Sequence, residues 1–209
     1  MAEISNGGKH SMWHIPVGWV MCASNALLRV ERLFLTAAMA VLMALILVNV
    51  VTRYTGVPIY WIDEAAVYLV VWLTFVGASV VSRLRLEFCV TFLTERLPAR
   101  VEKICAIISS FCVVFFGFML LWICWQWMDP IGLAKQGFDV KEYAAQSFNF
   151  LYTEHTQTLE WPMWMLQLVI PLFAFSLTVH SLAKLMEDFG LVQRRGFSEF
   201  SVATPEVVN

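Results

Sequence analysis

The sequence predicts an all-α integral membrane protein with four membrane-spanning helices, and three observations support this. Four apolar stretches, residues 33–51, 65–82, 104–128 and 161–183, contain no Asp, Glu, Lys or Arg, and a spanning helix needs about 20 such residues. The stretches are continuous rather than alternating, which favours helices over a β-barrel. Hydrophobic residues make up 59% of the chain, and the 14% that are charged lie mainly in the connections, which predicts one membrane domain.

The chain divides into three regions. We expect residues 1–32 to be a cytoplasmic N-terminal segment with a membrane-leading helix, residues 33–185 to be the four-helix transmembrane domain, and residues 186–209 to be a cytoplasmic tail. A cleaved signal peptide is not expected, because the first apolar stretch starts behind a long mixed segment and continues for a full membrane thickness. An apolar stripe at helical spacing predicts the membrane-leading helix. Its members are Val20, Ala23, Leu27, Val30 and Phe34.

Turn and breaker residues shape the connections. Gly56 and Pro58 predict a short turn that makes the first two spans an antiparallel hairpin. In the second connection, an amphipathic pattern that stops at Pro98 predicts a short helix on the membrane surface. The apolar stripe of that helix is Leu86, Val90, Leu93 and Leu97. Pro171 lies inside the fourth apolar stretch, where we expect it to kink the helix.

Basic residues are distributed unequally between the two sides of the predicted membrane. Eleven lie in the N-terminal segment, the second connection and the tail, whereas the other two connections hold Arg53, Lys135 and Lys141. By the positive-inside rule, we therefore expect both termini to face the cytoplasm.

Few residues indicate chemistry. The five cysteines form no C-x-x-C pair, and none lies in an outer connection, so disulfide and zinc chemistry are not indicated. His180 is the only histidine inside an apolar stretch, which leaves a haem without a second imidazole ligand; we expect His180 to be hydrogen-bonded near the inner boundary. No phosphate loop or nucleophile elbow is present. We therefore expect no enzyme, catalytic residue, metal, cofactor or nucleic-acid partner.

The densest polar cluster lies where the first hairpin turns, at Arg53, Trp61, Asp63 and Glu64. Asp63 and Glu64 stand at the start of the second helix, where the helix dipole favours acidic groups. If the turn brings Arg53 near Glu64, a charge pair would clamp the hairpin or a neighbouring subunit. An anion or ion pathway and simple helix capping are the other two interpretations.

One face of the second helix is polar and aromatic. Its residues recur at steps of three and four, which places them on one side of a helix that also carries the small pair Gly77 and Ala78. Such a face suits helix packing better than catalysis. We predict a partner interface formed by Arg53, Trp61, Glu64, Tyr68, Trp72 and Phe75.

The third connection, residues 129–160, is much longer than a hairpin requires. A connection of this length usually carries function or is disordered. Tryptophans on both sides of it predict an aromatic belt at the outer membrane surface. These are Trp122, Trp125, Trp127, Trp161 and Trp164.

The run from Asn49 to Ser79, NVVTRYTGVPIYWIDEAAVYLVVWLTFVGAS, resembles the signature of the small membrane subunit of tripartite ATP-independent periplasmic (TRAP) transporters. That family's first hairpin typically has an Asn, an Arg-aromatic pair, a Trp, an acidic pair, an aromatic-rich helix and a Gly-Ala step. The matching residues are Asn49, Arg53 with Tyr54, Trp61, Asp63 with Glu64, Trp72 with Phe75, and Gly77 with Ala78.

The resemblance covers roughly residues 33–185, and it includes Leu97-Pro98, Pro162-Met163-Trp164 and Pro171. The chain departs from the family pattern in two places. Glu87-Phe88-Cys89-Val90 stands where the family often has a His followed by alternating apolar residues. The connection 129–160 is also longer than the family pattern leads us to expect.

The resemblance implies a three-part secondary transporter in the bacterial inner membrane. Its other parts would be a periplasmic substrate-binding protein and a large elevator-type permease subunit, with membrane lipid around them. Uptake of an organic anion, a carboxylate or a sulfonate, would be driven by sodium. This chain would be the fixed scaffold, since tryptophan belts resist displacement across the membrane, and its third connection would border the docking surface for the binding protein.

Two other functions stay open. A four-span quinone-linked thiol oxidoreductase would need paired cysteines on the outer face. A small self-sufficient exporter would need a carboxylate within the membrane, whereas Glu64 stands at the start of a helix. A thiol titration and a transport assay on this chain alone distinguish the three functions.

Overall fold

The computed structural model describes residues 14–85 and 98–192. Within these ranges the chain forms α1 (His14–Tyr54), α2 (Tyr60–Leu84), α3 (Ala99–Met128), α4 (Pro130–Lys135), α5 (Val140–Ser147), α6 (Met163–Gln167) and α7 (Val169–Asp188). The predicted surface helix at 86–97 and most of the predicted tail lie outside the described residues.

Four helical segments are long and apolar enough to cross a membrane, namely Val17–Tyr54, Tyr60–Leu84, Arg100–Lys135 and Met163–Asp188. The predicted all-α integral membrane fold with four spans is therefore confirmed. We name the two ends of the spans by what they carry. The loop end holds the turn 55–59 and the connection 129–162, and the termini end holds the start of α1, the end of α2, the start of α3 and the end of α7.

α1 is one continuous helix that includes the predicted membrane-leading segment. Its 41 residues extend over about 60 Å at 1.5 Å per residue, roughly twice the hydrocarbon thickness of a bilayer. The start of α1 packs on the end of α7, where Val17, Met21 and Ala183 form a buried apolar cluster. After Tyr54, Gly56 turns the chain with a φ of +79°, a left-handed conformation that glycine adopts at little cost.

α7 is the central helix, because it packs against α1, α2 and α3. Its approach to α3 is close at Gly117. A Cβ at that position would lie 2.5 Å from the Thr178 hydroxyl oxygen and 3.3 Å from the Thr178 Cα. Ser110 and Val114 are buried on the same side of α3, whereas Phe111 and Trp122 are exposed on the other. Small residues on the inner side let the two backbones come together.

The fourth span is interrupted at Leu168, between α6 and α7. Pro171 has no N–H to donate to the carbonyl of Gln167, and its ring crowds that carbonyl. The indole Nε1 of Trp72 donates to the adjacent carbonyl of Leu166 at 3.0 Å. Leu168 keeps right-handed helical angles, with φ −55° and ψ −20°, so the distortion at Pro171 is a local loss of helical hydrogen bonding. A side chain of α2 binds the backbone beside it.

Candidate assembly sites at the two ends of the helices

At the loop end, the hairpin of α1 and α2 is closed by Asn49, Arg53 and Asp63. The Arg53 Nη2 lies 2.5 Å from the Asp63 Oδ2, and the Asn49 Nδ2 donates to the Asp63 Oδ1 at 2.6 Å. The predicted pairing of Arg53 with Glu64 is corrected to Arg53 with Asp63. Successive helical residues point about 100° apart, and Asp63 is the one that faces α1. Since both side chains are about half exposed, this pair contributes at most about 1 kcal/mol.

Glu64 instead binds the backbone of the third connection. Its Oε1 accepts the N–H of Gln157 at 3.0 Å, and its Oε2 accepts the N–H groups of Thr158 and Leu159 at 2.8 and 3.0 Å. The hydroxyl of Thr158 also donates to Oε2. Successive backbone N–H groups of this kind form an anion-binding concavity. Here the anion is a side chain of α2.

The segment that presents these N–H groups is a closed loop. The Thr156 N–H donates to the Trp161 carbonyl at 2.9 Å, and the Met163 N–H donates to the Glu154 carbonyl at 2.9 Å. The Thr156 hydroxyl oxygen accepts the N–H of Trp161 at 2.9 Å. Glu64 thereby ties a compact loop at the start of the last span to the start of α2.

The aromatic side chains of α2 continue this contact along the last span. The Tyr68 hydroxyl donates to the Met163 Sδ at 3.8 Å. The rings of Phe75 and Phe173 meet edge to face, with their centroids 5.4 Å apart. Together with Trp72, these residues fasten α2 to α6 and α7.

Four of the six side chains that the sequence assigns to a partner interface therefore contact this chain's own last span or its loop. They are Glu64, Tyr68, Trp72 and Phe75. The other two are open, with 57% of the Arg53 side chain and 45% of Trp61 exposed. The internal contacts of the four are an observation, whereas the assignment of all six to a partner interface stays a prediction.

The third connection is held by polar contacts with the end of α3. Asp129 accepts from the Gly132 N–H at 2.9 Å and from the Tyr143 hydroxyl at 3.2 Å. The Tyr152 hydroxyl donates to the Met128 carbonyl at 2.6 Å. Burial, with further contributions from Tyr143 and Asp129, raises the pKa of Tyr152, so this hydroxyl remains a neutral donor. The connection is therefore a folded structure that includes α4 and α5.

At the termini end, a buried polar cluster joins α1, α2 and α7 around His180. The His180 Nδ1 lies 2.8 Å from the Ser24 Oγ, and its Nε2 lies 2.9 Å from the Glu31 Oε2. Ser79 donates to the Glu31 Oε1 at 2.9 Å. With the proton on Nε2, the ring donates to Glu31 and accepts from Ser24. His180 is hydrogen-bonded as predicted, but it is wholly buried, at 0% exposure.

Further along α7, Glu187 and Asp188 bind two arginines at the end of α2. The Arg83 Nη2 lies 2.9 Å from the Glu187 Oε1, and the Arg85 Nη2 lies 2.8 Å from the Asp188 Oδ1. Ser110 of α3 donates to the Asp188 Oδ2 at 2.6 Å. The side chains of Arg83, Glu187 and Asp188 are at most 2% exposed. The polar groups at the termini end thus connect all four spans.

Three carboxylates and three basic side chains lie at this end of the helices. They are Glu31, Glu187 and Asp188 with Arg83, Arg85 and the buried Lys184. A buried ion pair adds little net stability over apolar packing, but removal of one partner costs roughly 3–5 kcal/mol. The cluster therefore penalises any rearrangement of the helices that separates these pairs.

Sequence reasoning missed this cluster because it assigned Arg83, Arg85 and Glu187 to the connections and the tail. The structure extends α2 to Leu84 and α7 to Asp188. The available signal was the presence of opposite charges just past the apolar ends of two helices.

No group of three or more His, Cys, Asp or Glu is arranged to hold a metal ion within residues 14–85 and 98–192. The cysteines described there are free, and they are Cys22, Cys105, Cys112 and Cys124.

Comparison with known proteins identifies similar transporters. The chain is 26% identical over 121 residues to the C4-dicarboxylate TRAP transporter small permease protein DctQ of Vibrio cholerae, covering 57% of this chain and 52% of that protein. It is 27% identical over 99 residues to the isethionate TRAP transporter permease protein DctMQ of Oleidesulfovibrio alaskensis, covering 44% of this chain and 16% of that protein. No solved structure matches significantly.

The chain spans about half the length of the first relative and a small part of the second. The family of tripartite ATP-independent periplasmic transporters, DctQ component, matches residues 42–191. This range includes α2, α3 and α7 and the polar contacts at the loop end. The chain belongs to this family and is a small permease subunit of a TRAP transporter.

Proposed function

We propose that this chain is a fixed membrane scaffold for a large elevator-type permease subunit, in a complex that carries out sodium-driven, binding-protein-dependent uptake of an organic anion. One observation carries the scaffold role. Polar contacts tie the helices at both ends, while the apolar stretches between them contain no Asp, Glu, Lys or Arg. Ionisable residues usually mark ion and substrate paths through membranes. This chain therefore suits a rigid support better than a pathway.

A scaffold must hold its shape and its depth while a neighbouring domain moves. At the loop end, Glu64 joins α2 to the third connection, and near the middle of α2, Trp72 binds the Leu166 carbonyl of the last span. At the termini end, the ion pairs of Glu187 and Asp188 join α7 to α2. Exposed tryptophans at the loop end, such as Trp125 and Trp161, favour the membrane surface and oppose vertical displacement.

The names of the two relatives support a large permease subunit as the partner and an organic anion as the substrate. DctMQ is named as a permease, and this chain matches only 16% of it, which supports a larger permease part as the partner. The named substrates of the relatives are C4-dicarboxylates and isethionate, a set of carboxylates and a sulfonate. We therefore propose a carboxylate or sulfonate for this transporter.

We place both termini in the cytoplasm and the third connection in the periplasm, on the basis of the unequal distribution of basic residues. The connection then borders the docking surface for the binding protein. It has five acidic residues against two basic ones, so docking would be electrostatic in part and weakened by salt.

We further propose that the six residues of the predicted interface form the assembly face. Arg53 and Trp61 are open to a neighbour and would contact the large subunit directly. The internal contacts of Glu64, Tyr68, Trp72 and Phe75 would hold α2 in the orientation that presents them. In the assembly face, two residues would thus contact the partner and four would position them.

Co-purification and uptake, measured side by side, test the scaffold. We expect Trp61→Ala to lower recovery of the large subunit and uptake into reconstituted vesicles in parallel. Trp19→Ala is the matched control, since Trp19 is 75% exposed near the start of α1, at the termini end. This variant should lower neither the recovery of the large subunit nor uptake. Vesicles with this chain alone should take up no substrate.

Two results would contradict the scaffold. One is uptake by this chain alone. The other is a Trp61 variant that assembles normally but has a changed substrate preference or sodium dependence, because such a residue would line the transport path.

A further inference from the structure

A cleft at the loop end lies between the end of α3, the segment after α5 and the end of α6. Its volume is about 370 Å³. Trp127, Phe148 and Phe150 line it with aromatic rings, and Asn149, Glu154 and Gln167 line it with polar groups. The cleft is open to the surface, and it borders both the third connection and the last span.

Among the polar residues that line the cleft, the Glu154 carboxylate is available to bind a partner. Asn149 is already engaged, since its Nδ2 donates to the Trp127 carbonyl at 2.8 Å and its Oδ1 accepts the Leu151 N–H at 3.1 Å. Within the described parts of the chain, no donor reaches the Glu154 carboxylate. The Gln167 Oε1 is buried there and accepts no hydrogen bond from a described residue. An unneutralised carboxylate beside aromatic faces is the chemistry that attracts a cation.

We propose that this cleft accepts a Lys or Arg side chain of the periplasmic binding protein. The proposal rests on the proposed function and names the contact by which the third connection would engage its partner. Phe148 and Phe150 are 79% and 53% exposed, so a docked protein would bury apolar surface beside the charge pair.

A phospholipid headgroup is the competing occupant, and the lining disfavours it. No Lys or Arg is among the described residues that line the cleft, so the phosphate of an aminophospholipid would lie near Glu154 without a counter-charge from them. A basic side chain brings a cation alone. The whole third connection has a net negative charge, with five acidic residues against two basic ones, and this also favours a basic side chain as the occupant.

The test is a titration of the assembled transporter with its binding protein. The complex of this chain and the large subunit is placed in lipid nanodiscs and titrated with the purified binding protein of the same transporter, at low and at high salt. Glu154→Gln removes the charge with little change in volume. Glu160→Gln is the matched control, because Glu160 is an exposed acid of the same connection that does not line the cleft.

We expect Glu154→Gln to raise the Kd about three- to tenfold at low salt and to flatten its salt dependence, because a charge pair in an open cleft is partly wet. Tenfold corresponds to about 1.4 kcal/mol. Glu160→Gln should bind like the wild type.

The possible failures are distinguishable. If the wild-type complex does not bind the binding protein, the proposed docking and this inference both fail. If the wild type binds and Glu154→Gln binds equally well, this inference alone fails. An effect of Glu154→Gln that disappears in nanodiscs without aminophospholipid would identify the headgroup as the occupant and overturn the assignment.

Discussion

The Nε2 of His180 lies 2.9 Å from the Oε2 of Glu31, although 149 residues separate them in the sequence. Both side chains are buried where α1 meets α7. The pair shows that the part of α1 ahead of the first apolar stretch is packed into the membrane domain. The contacts of His180 and Glu31 therefore hold the first helix to the last.

We expect His180→Ala to destabilise the protein strongly. The substitution leaves the buried Glu31 carboxylate with only the Ser79 hydroxyl among its observed partners, and a buried group left short of a hydrogen bond costs about 1–3 kcal/mol, or more if it is charged. Thermal unfolding of the purified protein in detergent should show a clearly lower midpoint. His155→Ala is the control, because His155 is exposed and, among the described residues, its ring contacts the nearby Thr153 carbonyl alone.

A double-mutant cycle sharpens this prediction. If the two groups act as a pair, Glu31→Gln combined with His180→Ala should cost less than the sum of the single changes. Additive losses, or a His180→Ala midpoint equal to that of His155→Ala, would show that the contact contributes little.

Glu64→Gln should loosen the loop that Glu64 binds. One carboxylate accepts the N–H groups of Gln157, Thr158 and Leu159, and hydrogen bonds to a charged acceptor are roughly twice as strong as neutral ones. Hydrogen exchange followed by mass spectrometry should show faster exchange in peptides that cover 154–162. Asp63→Asn is the matched control, since Asp63 binds Arg53 and not this loop. Unchanged exchange in Glu64→Gln would mean that the loop holds its shape without the carboxylate.

A methyl group added at Gly117 should be far more damaging than one added at Gly77. At Gly117 the new Cβ would clash with the Thr178 hydroxyl oxygen, at 2.5 Å, and lie tightly against the Thr178 Cα, at 3.3 Å, whereas at Gly77 no described atom of this chain lies within 4 Å. Overpacking of this kind typically costs about 1–3 kcal/mol. The midpoint of thermal unfolding should fall for Gly117→Ala and stay near the wild-type value for Gly77→Ala. Equal midpoints would mean that α3 and α7 can separate without penalty.

Cysteine labelling tests the proposed orientation. In a background without native cysteines, Ser147→Cys should react with an impermeant maleimide on whole cells, because Ser147 is exposed at the end of α5. Ser198→Cys, in the C-terminal region, should react only after the cells are opened. Labelling of both positions from outside, or of Ser198→Cys alone, would refute cytoplasmic termini.

The sequence by itself determined the number of spans, their order and the turn at Gly56. These features are local, because a helix in lipid must bond its backbone internally and present about 20 apolar residues in a row. The Asn49–Ser79 run also pointed to the TRAP family before any contact was known, and the family match confirmed it.

The tertiary structure alone decided which polar groups meet. Asp63 rather than Glu64 pairs with Arg53, and Glu64 reaches across more than 90 residues to the loop at Thr158. These pairings cannot be predicted from the spacing of residues in the sequence. They depend on how each helix is rotated about its axis and on which neighbour it faces. For α2, that rotation is set by contacts with the last span, such as Trp72 on the Leu166 carbonyl and Phe75 against Phe173, and by the low tolerance of the buried interior for an unpaired charge.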